Sequence, residues 1–153
     1  MPDPVQHAID GSSPSDRDEP IAALQRFYHA LNMRDLAAME EMWEPGEDAS
    51  MDNPLGGIRR GWPAIRKGYE ALFAARGAYH FEFYDYTLHV IGDVFLAVGR
   101  ERGRIERRGK SLDLAIRTTR FFRRRADAWR QFHHHGSIED PVMLDGYLKA
   151  VAG

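Results

Sequence analysis

Three adjacent histidines, His133, His134 and His135, stand well inside the chain, in the run Trp129-Arg130-Gln131-Phe132-His133-His134-His135-Gly136-Ser137. An imidazole titrates near neutrality, moves protons and ligates metals, so this triplet is where chemistry is first sought. The run reads as a strand, and a strand points successive side chains to opposite faces. Strict alternation therefore places Trp129, Gln131, His133, His135 and Ser137 on one face, and Arg130, Phe132, His134 and Gly136 on the other. The triplet is two environments rather than one cluster. His133 and His135 form an H-x-H pair of the kind that can offer two imidazoles to one ion. His29, His80 and His89 lie elsewhere, but nothing in the sequence fixes a third ligand, and no metal site is assigned.

The elements that must position these residues follow from periodicity. From Pro20, a residue suited to a first helical turn, Ile21, Leu24, Phe27, Tyr28 and Leu31 recur at helical spacing. A short second helix over 36–43 has Asp35 as its N-cap and stops at Pro45-Gly46. A brief strand over 49–52 runs into Asn53-Pro54-Leu55-Gly56-Gly57, a cluster of turn-forming residues. A third helix is expected over 62–75. Strands then follow over 79–90, 94–107, 111–124 and 129–137, with a short amphipathic tail over 142–151 that adds a helical turn or two. Helices first and a long meander afterwards predict an α+β domain, with helices on one face of a curved sheet and a pocket in its open end.

Composition narrows the functional classes. A chain of 153 residues that is 43% hydrophobic fits one domain with a substantial core, taken here as 20–153. Residues 1–19, rich in Pro, Asp, Ser and Gly, read as a disordered N-terminal extension. Lys plus Arg, 21, nearly balances Asp plus Glu, 23, so the overall field draws in neither nucleic acid nor an anionic membrane. Residues 100–108 and 117–130 are locally arginine-rich, but they lack aromatics at a spacing that would stack bases, and no nucleic-acid partner is expected. With no cysteine, disulfides, thiolate nucleophiles and Cys-based zinc sites are excluded. Residues 1–19 hold no apolar run of signal-peptide length and nothing elsewhere approaches a membrane span, so a cytoplasmic protein without a membrane partner is expected. Gly56 and Gly57 form a turn, not a phosphate cradle, because no Gly-rich loop with the required Lys joins a strand to a helix.

Three motifs carry a resemblance. They are His89-Val90-Ile91-Gly92-Asp93; Arg117-Thr118-Thr119-Arg120 followed by Phe121 and Phe122; and Trp129 with His133, His135 and Ser137 at the spacing W-x3-H-x-H-x-S. Over about 21–137 the chain resembles the nuclear transport factor 2-like superfamily, and within it the SnoaL-like branch and the association domain of calcium/calmodulin-dependent kinase II. The resemblance implies a cone: a strongly curved antiparallel sheet with three helices from the N-terminal half enclosing a pocket. It also implies a homodimer formed through the outer sheet face. Members of this superfamily include isomerases, dehydratases, cyclases and non-catalytic assembly modules, so fold does not decide function.

Ketosteroid isomerisation, the best understood chemistry of that superfamily, needs a carboxylate base, a tyrosine and a protonated aspartic acid. By resemblance the base position falls at Asn53, an amide that takes no proton at neutral pH, and a shift to Asp52 reverses the strand face. The tyrosine position falls at Phe27, with Tyr28 one step round the helix, and the aspartic-acid position falls at Arg117. That activity is not expected. The resemblance implies instead a pocket with Arg117, Thr119 and Phe121 inward on one strand and Glu101, Ala97 and Gly99 inward on its neighbour. Arg117 then captures an anionic group, pairs with Glu101 or is simply exposed to solvent. His134, with Phe132, faces the pocket as an acid/base candidate or a hydrogen-bonded wall residue. Trp129, His133 and His135 face the dimer partner. Leu72, Phe73 and Trp43 are expected in the core, and Trp62 and Tyr69 either there or at the pocket rim. Three functions remain open: a dimeric domain binding a small organic molecule, with an anion among the options; a cofactor-independent isomerase, dehydratase or cyclase using His134, Arg117 and Glu101; and a non-catalytic association module.

Overall fold

The computed structural model describes residues 6–13, 18–126 and 128–152. Helix α1, Pro20–Asn32, opens on its proline and buries Leu24, Phe27, Tyr28 and Leu31, the stripe that the spacing foretold. It ends where Arg34 turns to a φ of 55°. Helix α2, Leu36–Met42, starts at Asp35, whose carboxylate accepts from the Ala38 amide at 3.0 Å and satisfies one orphan donor of the first turn. Strand β1, Ser50–Asp52, and the two-residue strand β2, Arg59–Arg60, bracket the Asn53–Gly57 turn. Helix α3, Trp62–Ala74, follows. The long strands are β3, Ala78–Ile91; β4, Val94–Arg107; β5, Lys110–Arg125; and β6, Ala128–Ser137. The tail forms a full helix, α4, Pro141–Ala152, longer than the one or two turns expected. No described helix is long and apolar enough to cross a membrane.

The six strands run in the order β2-β1-β6-β5-β4-β3. All neighbours are antiparallel except β1 and β6, which pair in parallel with Ser50 opposite His133 and Asp52 opposite His135. The sheet is therefore mixed rather than wholly antiparallel, and it gains β2, a strand too short for any periodicity to register.

Two irregularities bend it. In β3 the register slips between Tyr84 and Thr87, with Asp85 at a φ of 48°, and in β6 Phe132 is the extra residue between Gln131 and His133. A β-bulge adds one residue, sharpens the twist and re-aims the side chains beyond it. The inner face of β4 helps the same curvature. Ala97, Gly99 and Gly103 alternate with Glu101, and a Cβ at Gly103 would stand 2.3 Å from the ring of Phe81 on β3. Only glycine lets that ring lie flat across the strand.

The core fills the cone from α1 to the sheet, with Phe95 stacked on Phe122 at 4.6 Å and Trp129 meeting Phe95 edge-on at 4.8 Å. Trp43 and Trp62, stacked at 6.5 Å, join α2 to α3. Part of the N-terminal extension belongs to this body. Ile9 is buried and exchanges both backbone hydrogen bonds with Phe83, each 2.8 Å, while Gly11 presses on α1 so closely that a Cβ would meet the His29 nitrogen at 2.1 Å. Residues 6–13, within the stretch expected to be disordered, are docked by Ile9, by the edge of β3 and by hydrogen bonds to Gln25, His29, Asn32 and Tyr86. Residues 1–5 and 14–17 lie outside the described residues.

Candidate functional site

The inner face of β5 carries Leu114, Ile116, Thr118, Arg120 and Phe122, all buried. Arg120, 2% exposed, is the hub of the cone. Its Nη2 donates to Glu101 Oε2 at 2.9 Å, its Nη1 to Gln131 Oε1 at 2.9 Å and its Nε to the Tyr28 hydroxyl at 3.3 Å. The guanidinium lies 4.1 Å from the centroid of the Phe27 ring. The Tyr28 hydroxyl donates in turn to Glu101 Oε2 at 2.5 Å. A buried ion pair holds only when both ions are fully hydrogen-bonded, and this network supplies those bonds. Burial works against the Arg120 charge, yet Tyr28 and Glu101 outweigh it and hold the guanidinium more firmly protonated than usual. Burial drives the Tyr28 phenol well above its ordinary value, and burial likewise pushes Tyr69 up to about 12. The phenols are neutral at any physiological pH.

His134 completes the inner surface. It is 8% exposed, and neither ring nitrogen has a hydrogen-bond partner among the described residues. Burial, with Arg120 next in weight, holds its pKa well below the usual 6.5, so the ring is a neutral imidazole. It faces a cavity of about 120 Å³ walled by Phe27, Leu31, Met51, Leu72 and Ile116, with Glu101, Arg120, Tyr69 and Tyr147 supplying the polar groups and Asn53, Pro54 and Leu55 at the mouth. Gly136 keeps room beside the imidazole, since a Cβ there would lie 3.2 Å from Nε2. A wider groove of about 380 Å³ near Arg107, Lys110 and Lys149 is open to solvent and contains no buried polar side chain.

The structure sorts the sequence-based candidates. Phe27, Glu101 and His134 line the cavity, and Tyr28 is hydrogen-bonded to Glu101 beside it. Asn53 is at the mouth, where its side-chain oxygen accepts from the Leu55 amide at 3.1 Å and shapes the turn. Arg117 is a correction: its side chain is 54% exposed and pairs with Glu139 at 3.5 Å, so it touches neither Glu101 nor the pocket. Thr119 and Phe121 go outward with it. The arginine that pairs with Glu101 is Arg120, three residues on and therefore on the opposite face. The alternation Leu112, Leu114, Ile116 carries this frame in the sequence, because continuing it reaches Arg120 and not Arg117.

The β6 corrections have a single cause. The bulge at Phe132 reverses the alternation, so Trp129 and Gln131 share the inner face with His134. Trp129 is a core residue, 3% exposed, and takes no part in an outer surface. Phe132 turns outward, against Arg123 at 4.4 Å and Phe121 at 5.8 Å, and leaves the pocket. Trp62 is also not a rim residue; it packs between Trp43 and Tyr69 and donates its indole N–H to Glu40 at 3.0 Å. His133 and His135 do face outward, with partners in their own chain: Ser50 Oγ at 2.7 Å from His133 Nδ1, and Asp52 Oδ2 at 2.9 Å from His135 Nδ1. Tyr69 lines the pocket, one of the two places the sequence left open for it, and Tyr147 is a pocket residue to which the sequence assigned no place.

A curved six-stranded sheet closed by helices, with a polar-floored cavity in the cone, defines the nuclear transport factor 2-like class of α+β domains. Within it, residues 21–141 match the family model of the SnoaL-like domain, and the chain belongs to that family. Among solved structures it is similar to a Thiobacillus denitrificans protein provisionally described as a calcium/calmodulin-dependent protein kinase type II association domain, at 26% identity and a TM-score of 0.70, covering 79% of this chain and 95% of that one. A Streptomyces avermitilis protein provisionally described as a dehydratase of the NTF2-like family has 22% identity and a TM-score of 0.69, covering 76% of this chain and 90% of that one. The CaMKII hub of S. rosetta, at 14% identity and a TM-score of 0.69, covers 82% and 98%. The last two likenesses speak to fold alone. No curated protein matches the chain.

Proposed function

We propose that this SnoaL-like domain binds a compact, uncharged organic molecule in the cone, one six-membered ring or less in size, through a hydrogen bond to His134. The observation that carries this reading is the pairing of a buried, neutral imidazole, without a hydrogen-bond partner among the described residues, with a cavity whose charged groups, Glu101 and Arg120, are already bonded to each other. Buried polar atoms are nearly always hydrogen-bonded, which leaves His134 as the group to be satisfied by what enters. The volume of about 120 Å³ is close to that of apolar cavities, about 150 Å³, that accept benzene. The Glu101 carboxylate cancels the Arg120 charge, so the reading narrows from an anionic ligand to a neutral one.

Calorimetric titration with phenol, cyclohexanone and benzoate tests it. Phenol or cyclohexanone should bind and benzoate should not, and His134→Leu should abolish the heat. Benzoate binding alone, or binding unchanged in His134→Leu, would defeat the reading.

A second reading, proton transfer by His134 in an isomerase, dehydratase or cyclase, is favoured by the same imidazole, whose free nitrogen is an acceptor at neutral pH. The depressed pKa makes it a weak base, which ranks this reading below simple binding.

Self-association is proposed as well. The outer faces of β4, β5 and β6 share an apolar patch of Leu96, Val98, Phe121 and Phe132, of which Val98 is 40% exposed, with the His133 ring 5.8 Å from Phe121 at its margin. The likeness to a protein provisionally described as an association domain supports pairing of two copies across this face. Sedimentation should give a dimer that Val98→Asp converts to a monomer; a monomeric parent chain contradicts it.

A further inference from the structure

The parallel pairing of β1 with β6 brings together three ligands that no sequence motif joins. Ser50 lies opposite His133 and Asp52 opposite His135, so the H-x-H pair of one strand and a carboxylate of its neighbour share the outer face. Asp52, His133 and His135 each offer one ligand atom, and the three atoms lie within 4.8 Å of one another. We infer that this trio is a binding site for a divalent transition-metal ion of the zinc type, with two imidazoles, one carboxylate and a fourth position open to solvent.

The donor set suits the ion. Two neutral imidazoles and one carboxylate favour zinc, cobalt or nickel over calcium or magnesium, which prefer oxygen alone. Bond lengths of about 2.0–2.2 Å put tetrahedral ligand atoms about 3.3 Å apart, a contraction that side-chain rotation supplies without moving either strand. A second contact is also in place. The Ser50 hydroxyl at 2.7 Å from His133 Nδ1 can accept the ring N–H, which leaves Nε2 as the lone-pair nitrogen. His135 and Asp52 already touch, at 2.9 Å, so the ion replaces or bridges an existing contact rather than gathering distant groups.

The other such trio among the described residues is less suited. At Asp10, His80 and Glu82 the Glu82 carboxylate is held by Arg102, whose positive charge opposes a cation there, and the Asp10 carboxylate accepts from the Ser12 amide. Near the Asp52 site the closest cationic position in the ladder is Arg60, opposite Ser50 and exposed, so its guanidinium can stay in solvent. Because side chains alternate, the proposed ion sits on the opposite side of the sheet from His134 and the cone. Its effect is to fasten β1 to β6, and it is separate from the chemistry of the pocket.

The test uses the full chain without an affinity tag, stripped with a chelator and titrated with zinc sulfate in competition with a chromophoric indicator. Uptake of one ion per chain is expected, weakened on the order of tenfold or more in His135→Ala and in Asp52→Asn and unchanged in His80→Ala. Both altered side chains of the site are accessible, and circular dichroism verifies that the variants fold. A melting temperature raised on the order of 5 °C at a hundredfold excess of zinc over its dissociation constant is the independent readout. No uptake, or uptake that is equal in all four proteins, would overturn the assignment.

Discussion

Arg117 and Arg120 stand three residues apart on one strand and lead opposite lives. Arg117 reaches into water and meets Glu139 at 3.5 Å, with both side chains more than half exposed. Arg120 is enclosed and meets Glu101 at 2.9 Å, with its other hydrogen bonds directed at Tyr28 and Gln131. The same chemical pair is incidental on the outer face and structural on the inner one, because solvent screens the first and is absent from the second. The two faces of β6 repeat the contrast. His134 is buried without a hydrogen-bond partner among the described residues, whereas His133 and His135 each touch a neighbour on β1.

The sharpest way to break this contrast is to remove one carboxylate from each face. Glu101→Ala leaves the Arg120 charge buried and should cost about 3–5 kcal/mol of stability in urea unfolding. Glu139→Ala should cost about 0–1 kcal/mol. Equal costs would mean that Glu101 is no more than a surface partner.

Gly103→Ala sharpens it next. The added methyl strikes the Phe81 ring and should destabilise by about 1–3 kcal/mol through overpacking, by the same unfolding assay. Ala115→Gly on the exposed face of β5 should cost less, about 0.5–1 kcal/mol.

The most graded effect is in pH. Below 6.5 the unfolded chain protonates His134, while the buried imidazole stays neutral in the fold. The unfolded state then binds the extra proton, so stability falls as pH drops from 6.5 toward the depressed folded value. This contribution approaches about 1.4 kcal/mol per pH unit below 6.5, and it should vanish in His134→Leu when unfolding is followed between neutrality and mild acid. Parallel pH profiles in the parent and the variant would contradict the burial of this ring.

Much of the fold was legible in the sequence, because helix and strand periods survive wherever one face is buried. Asp35 as a cap, Pro20 as a first turn and the four long strands all follow from local chemistry. Strand β2 has too few residues for a period, and the pairing of β1 with β6 is a tertiary matter that no local pattern encodes. The site was half legible. Glu101 and His134 lie at the cavity wall, where the sequence points, but the frame set by Leu112, Leu114 and Ile116 carries Arg120 rather than Arg117 to Glu101. In β6 the alternation was applied faithfully and still failed for Trp129 and Phe132, since one bulged residue reverses every assignment on one side of it. The docking of residues 6–13 was missed for a different reason: Ile9 is a single apolar anchor in a polar stretch, and composition averages it away.

The central claim is that recognition belongs to the inner face and is read by His134 rather than by its two neighbours. Nitrogen-15 spectra of the three imidazoles during a phenol titration address it directly. The account predicts that the His134 ring signals move while those of His133 and His135 stay in place. Movement confined to His133 and His135, or a silent His134 at saturating phenol, would contradict it.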